Sequence, residues 1–154
     1  MENKSIKAVV NELLVDIFND ILTIEQTALK SGKLNDLSVT EMHTIAEIGM
    51  YEPRTMSEVA AGLGITVGTL TASINNLVKK GYVERKRDDK DRRVVKITLT
   101  RRGKLAYRVH EKFHMDMVNE SIKGLTEDDE KLLVCALGKL NEFFKDKYHI
   151  TNKK

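Results

Sequence analysis

Asp91 and Arg93 stand two residues apart in a dense charged run, Arg85-Lys86-Arg87-Asp88-Asp89-Lys90-Asp91-Arg92-Arg93. In extended chain, residues two apart project to the same side, so the Asp91 carboxylate can orient the Arg93 guanidinium through charge-assisted hydrogen bonds. A fixed guanidinium on a protruding tip suits the DNA minor groove, whose narrow stretches concentrate negative potential. Arg85, Lys86, Arg87, Arg92 and Lys96 are then placed to serve phosphates, while the acids at 88–91 shape the tip. The competing reading is a solvated turn, whose surface ion pair contributes only ~0–1 kcal/mol.

A second pattern carries different chemistry. His110-Glu111-Lys112-Phe113-His114 is a literal H-E-x-x-H, in which two imidazoles on one helix face hold zinc and the glutamate acts as base. It lies on a long helix with no pocket-forming sheet near it in sequence, so a zinc peptidase is the remote alternative. The single cysteine, Cys135, sits in LLVCALG without a neighbouring cation; a buried, inert thiol is expected there rather than a redox sensor.

The totals frame these motifs. A chain of 154 residues is one domain by length, and 41% hydrophobic with 32% charged residues is ordinary globular composition. One proline, Pro53, and scattered glycines favour long helices over a turn-rich β fold. No apolar run approaches ~18 residues and no signal-peptide core follows MENKSIK, so a cytoplasmic protein with no membrane partner is expected. Net charge is +3, but Lys79 to Arg108 holds thirteen Lys and Arg against four acids, leaving the remainder acidic. A local cationic block on an acidic chain marks a polyanion site.

The elements that must position this block follow from period and capping. Ile6, Val9, Val10, Leu13, Leu14, Ile17, Phe18, Ile21 and Leu22 repeat at three and four, which predicts a long amphipathic helix ending near Ser31-Gly32. Ser38-Val-Thr-Glu41 and Thr55-Met-Ser-Glu58 are capping boxes, opening helices to about Gly49 and to Gly62-Leu63-Gly64. Thr66 starts another helix, with Leu70, Ile74, Leu77 and Val78 on one face, closed by Lys79-Lys80-Gly81. The period then drops to two, predicting a hairpin from residues 82–87 and 94–99. Thr100 caps a helix to about Lys123, and Thr126 caps a last one with Leu133, Leu137, Leu140 and Phe144 along its stripe. The fold class is therefore mainly α with a small β-hairpin wing.

Residues 57–85, SEVAAGLGITVGTLTASINNLVKKGYVER, have helix-turn-helix spacing. Thr66, Thr69, Ser73 and Asn76 lie on one face of the second helix, with Thr71 near its edge, and such short side chains suit base edges in a major groove. A cationic hairpin directly after that helix completes a helix-plus-wing device for double-stranded DNA. The terminal helices carry stripes too long for the core between them to cover, which predicts a homodimer. Two-fold symmetry then predicts a pseudo-palindromic operator.

The wing of form Asp-x-Arg, followed by Leu99-Thr100-x-x-Gly103, preceded by LVKKGYVER and flanked by long terminal helices, resembles the MarR family of dimeric winged helix-turn-helix regulators over essentially the whole chain. Within that family, TEMHTI, VGTLTASINNLVKKGY, DRRVV and HEKFHMDMV resemble the FabT-type repressors of fatty-acid-synthesis genes. The resemblance implies a single domain over 1–154, with a DNA-binding core over 35–99 and dimerisation helices over 1–34 and 100–148. It implies Arg93 in the minor groove with Asp91 holding it, no catalytic residue, no enzyme activity and no required cofactor. Ala72 stands where many relatives carry Arg, so guanine readout from that turn is not expected and an A·T-rich operator is. FabT-type likeness also implies an acyl-chain effector, delivered on acyl carrier protein, in a cavity beside Phe18, Met42, His43, Phe113 and Met117. Zinc-sensing relatives take ligands from the same helices, at positions matching Glu25, His43, His110 and His114. The residues alone leave both effectors open.

Overall fold

Nine elements form among residues 5–88 and 91–149, which a computed structural model of the chain describes. Helix α1 spans Ile6–Ser31, and Ser5 caps it by accepting from the Ala8 amide. Helix α2 spans Val39–Ile48 and opens on a closed capping box: the Glu41 amide donates to Ser38 Oγ (3.1 Å) and the Ser38 amide to Glu41 Oε2 (2.9 Å). Strand β1 is only Arg54–Thr55. Two residues have no measurable period, which is why the sequence pattern does not reveal this strand. Thr55 and Glu58 then close a second capping box at the start of α3, Met56–Leu63.

Helix α4, Val67–Lys79, turns away from α3 by 106°, the angle of a helix-turn-helix. Gly64 makes the corner: it sits at φ 68°, ψ 27°, a left-handed conformation that costs a side-chain-bearing residue more, and its amide donates to Ala60 and Ala61. Strands β2 (Val83–Arg87) and β3 (Val95–Leu99) follow, each within a residue of expectation. The antiparallel sheet runs β1-β3-β2, with Val83 opposite Leu99, Arg87 opposite Val95 and Arg54 opposite Ile97.

Helix α5, Arg101–Ile122, begins against the base of the wing. A Cβ on Gly103 would lie 2.1 Å from the Tyr82 carbonyl oxygen, so only hydrogen fits where the two backbones meet. Thr100 secures the same junction, donating to the Gly81 carbonyl (2.6 Å) and accepting from the Gly103 amide (3.1 Å). Those contacts explain the Leu-Thr-x-x-Gly run. Helix α6 spans Glu127–Tyr148, with Thr126 and Asp129 forming its capping box. The Thr126 hydroxyl and amide hold the Asp129 carboxyl below the usual range.

The chain divides into two compact units, Met1–Tyr107 and Arg108–Lys154. In the first, Met42, Ile45, Ile48, Val59, Leu70, Ile74, Leu77, Tyr82 and Ile97 are sealed in one core. Burying each such side chain contributes ~1.5–3 kcal/mol, so the helix-turn-helix is held to the sheet from behind. Helix α1 buries only Glu25, leaving Leu13, Ile17 and Phe18 exposed. Helix α6 buries no residue at all. Cys135 is accordingly exposed, a correction to the expectation of a buried thiol: helical period placed it on an apolar helix, but none of that helix's residues is buried among the described residues. Among the described residues, no single helix is long and apolar enough to cross a membrane.

Candidate nucleic-acid interface

The wing tip holds the expected Asp91–Arg93 pair, in a turn between β2 and β3 and not in extended chain as its spacing suggested. Arg93 donates through Nε to Asp91 Oδ1 (3.2 Å) and through Nη2 to Oδ2 (3.4 Å), while its amide donates to Oδ1 (3.0 Å). Asp91 therefore grips both backbone and guanidinium, and the Arg93 bonds hold its carboxyl below the usual range. The Arg93 side chain is nevertheless 92% exposed. Behind it, the Asp88 amide donates to Val94 O, the Val94 amide to Asp91 O and the Asp91 amide to Asp88 Oδ1 (3.1 Å), which closes the tip. Asp89, also expected to shape it, lies outside the described residues, as does Lys90.

The basic side chains divide by partner. Arg87 and Arg92 are exposed. Lys86 pairs with Glu84 at 2.9 Å. Lys96, expected to serve phosphates, is instead held by Asp88 at 2.5 Å, and that bond raises its pKa. Arg85, also expected on phosphate, donates through Nη2 to Asn75 Oδ1 at 2.5 Å.

Helix α4 presents its residues somewhat differently from expectation. Thr66 caps the helix, accepting from the Thr69 amide, and the two hydroxyls lie 2.9 Å apart. Thr69 and Asn76 are exposed, as is Thr71, which donates to the Val67 carbonyl (2.8 Å). Ser73 is turned inward, its hydroxyl 3.3 Å from that of Thr44 on α2, so its place is at a helix–helix contact rather than on the outer face. The reason is angular: Ser73 lies between Leu70 and Leu77, both fully buried. Asn75, absent from the expected set, is exposed on the outer face. Its signal was available, since Gly68, Ala72, Asn75 and Lys79 recur at four, three and four on the side away from the core.

A polar cluster pins this assembly from beneath. Asp36, between α1 and α2, accepts the Tyr82 hydroxyl at Oδ1 (2.7 Å) and Arg102 Nη2 at Oδ2 (3.0 Å). Its carbonyl accepts Lys80 Nζ at 2.5 Å. Lys80 also reaches Glu41 (2.8 Å), while Arg102 Nη1 donates to the Lys80 carbonyl (2.6 Å) and its guanidinium stacks 4.2 Å over the Tyr82 ring. Burial and the Asp36 bond push the Tyr82 hydroxyl up to about 12, so it stays a donor. Burial tends to raise Glu41, but the Lys80 bond and the Ser38 amide outweigh it and hold the carboxyl below its ordinary range. Thus the end of α4, the start of the wing and the start of α5 share one anchor. Sequence separations of 44, 46 and 66 residues hid it.

The effector candidates fall in both units. Met42 is 1% exposed and packs within the core, and Phe18 is 64% exposed. In the first unit, buried Glu25 lies 3.3 Å from His43 Nε2. In the second, His110 and His114 approach at 3.1 Å between Nε2 atoms, with Phe113 edge-on to His114, while Glu111 is exposed. Phe113 and Met117 are half-buried.

A family model described as the MarR family matches residues 35–94. The structure of FabT from Streptococcus pneumoniae in complex with DNA is 43% identical, covering 89% of this chain and 96% of that one, with a TM-score of 0.85. The multiple antibiotic resistance protein MarR of Escherichia coli is 28% identical over 81% of this chain and 95% of its own length. The transcriptional regulator BilQ of Clostridium symbiosum is 28% identical over 69% of this chain and 74% of its own.

Proposed function

The chain belongs to the MarR family and is a DNA-binding transcriptional regulator of that type, and on this premise we propose a homodimeric repressor of fatty-acid-synthesis genes. Its effector is a long-chain acyl group presented on acyl carrier protein, which strengthens operator binding. The observation that carries the DNA reading is Arg93, fully presented yet gripped at backbone and guanidinium by Asp91. A side chain restrained in this way has less rotamer freedom to lose on entering a groove. Thr66, Thr69, Thr71 and Asn76 serve the major groove, and Arg87 and Arg92 the phosphates.

Dimerisation has its support in α1 and α6. Leu132, Val134, Leu137 and Phe143 are each more than half exposed, as are Leu13, Ile17 and Phe18. Apolar area on that scale calls for a partner, and a second copy supplies it with matching stripes. Two wings and two recognition helices then meet half-sites about one turn, roughly 34–36 Å, apart. The fatty-acid assignment rests on likeness to FabT, and its mechanism is population shift: the acyl group favours the dimer geometry that fits DNA.

The test is a titration of labelled operator duplex, first selected from a random pool, with and without long-chain acyl carrier protein. Affinity should rise with the acylated carrier and not with the unacylated one; equal affinity in all three arms removes the effector assignment. Specific binding should also fall by ~10³–10⁵ between 50 and 200 mM salt if six to ten phosphates are neutralised. The zinc-responsive alternative has its support in the carboxylate–imidazole pair of the first unit and the imidazole pair of the second. Metal content after mild purification separates them, since acyl sensing requires no zinc and zinc sensing requires at least one ion per protomer.

A further inference from the structure

Among the four residues on the outward side of α4, only one can both donate and accept hydrogen bonds at a base edge. Gly68 and Ala72 are too short, and Lys79 is a point cation. That leaves Asn75, which is exposed on the side away from Leu70, Ile74 and Leu77. An unrestrained asparagine pairs with adenine, accepting from N6 and donating to N7, and for that it needs its carbonyl. Here the carbonyl is engaged: Arg85 Nη2, from the first strand of the wing, donates to Asn75 Oδ1 at 2.5 Å, which takes one of its two lone pairs and sets a cation where a second donor such as adenine N6 would approach. The amide's other arm, its NH2, is directed away from the guanidinium by the planar geometry of the group.

The consequence is a unit whose arm toward a base is a donor, the asparagine NH2, with a cation behind it that disfavours any further donor. Guanine is the base with two adjacent major-groove acceptors, N7 and O6, whereas adenine and cytosine each bring an amino donor that such a unit meets donor to donor. We propose that Asn75 and Arg85 act together as a specificity unit that selects one guanine in each half-site of an otherwise A·T-rich operator. Asn75 is the reader and Arg85 a positioning residue that acts through it. This rests on the DNA-binding reading and adds a base and a position to it. It also changes the role of Arg85, from a phosphate contact to the orientation of a neighbour.

Duplexes selected from a random pool by the full-length parent, Asn75→Ala, Arg85→Ala and the double variant test it. The parent should enrich a guanine at one position symmetric about the dyad. Asn75→Ala should lose discrimination at that position alone, roughly tenfold to a hundredfold. Arg85→Ala should move the same position toward adenine, because the freed carbonyl can again accept from N6. The double variant should be no worse there than Asn75→Ala. Salt slopes add a second readout: Arg87→Ala should lower the slope by about one, and Arg85→Ala should leave it unchanged. If Asn75→Ala enriches the parent motif, or Arg85→Ala weakens all duplexes alike with a reduced slope, the assignment is overturned while the regulator reading stands. A parent that enriches no motif sinks both.

Discussion

Helices α4 and α6 carry the same kind of apolar stripe, yet one is consumed within the chain and the other is not. Leu70, Ile74 and Leu77 of α4 are completely buried. Leu133, Leu137 and Phe144 of α6 repeat at helical spacing too, but remain between 38% and 54% exposed. Amphipathic period thus announces that a face will be covered without saying by what. On α4 the covering partners are α2, α3 and the sheet; on α6 we assign that role to a second copy. The division fits the work proposed for each region. A reading head must be rigid before it meets DNA, whereas a coupling surface must hold two heads at a distance that an effector can adjust.

The largest expected effects separate these two regions directly. Leu77→Ala should cost ~2–5 kcal/mol in urea unfolding at every protein concentration, because it opens a cavity in a sealed core. Leu137→Asp should instead leave the isolated protomer within about 0.5 kcal/mol and convert a sedimenting dimer to monomer. If Leu137→Asp still sediments as the parent does, α6 is not the interface.

Next in size are changes at the wing, which should leave folding alone. Arg93→Ala should lose ~1–3 kcal/mol of operator binding. Asp91→Ala should lose less, since the guanidinium stays but is no longer aimed, and the gap between the two measures how much orientation is worth. Unaltered binding by both variants would remove the finger from the interface. On the buried side, Tyr82→Phe should cost about 1 kcal/mol of stability by leaving Asp36 short of a donor.

The smallest effect is one of pH. The folded-state pKa of Glu41 lies below the ordinary glutamate value of 4.5. Its contribution is therefore complete above that value and is lost as pH falls through the lower, folded value. Glu41→Gln should lack this acid-side slope and otherwise unfold like a protein already deprived of it. A variant with the parent's profile below pH 4.5 would show that Lys80 and Glu41 are not coupled.

Much of the candidate interface was legible because its causes are local. The Asp91–Arg93 pairing follows from a spacing of two, although a turn closed by the Val94 amide on Asp91 O makes it and not extended chain, and three capping boxes follow from a spacing of three. Elsewhere the same local rules misled. Helical period groups Thr66, Thr69, Ser73 and Asn76 correctly, but it cannot say which edge of that group α2 will cover, so Ser73 was counted outward when it bonds Thr44. Lys96 counted as a free cation until the hairpin brought Asp88 beside it.

What the chain determined by itself is whatever depends on neighbours within about four positions: helix limits, caps, the strand period and the oriented arginine. What only the tertiary structure decided is which phase of each period faces inward, and which charges cancel. Asp36 anchors residues 80, 82 and 102, and Asn75 receives Arg85, because folding brings those groups within hydrogen-bond reach. Hydrogen bonds and desolvation act over a few ångströms of space, whatever the number of residues between the partners.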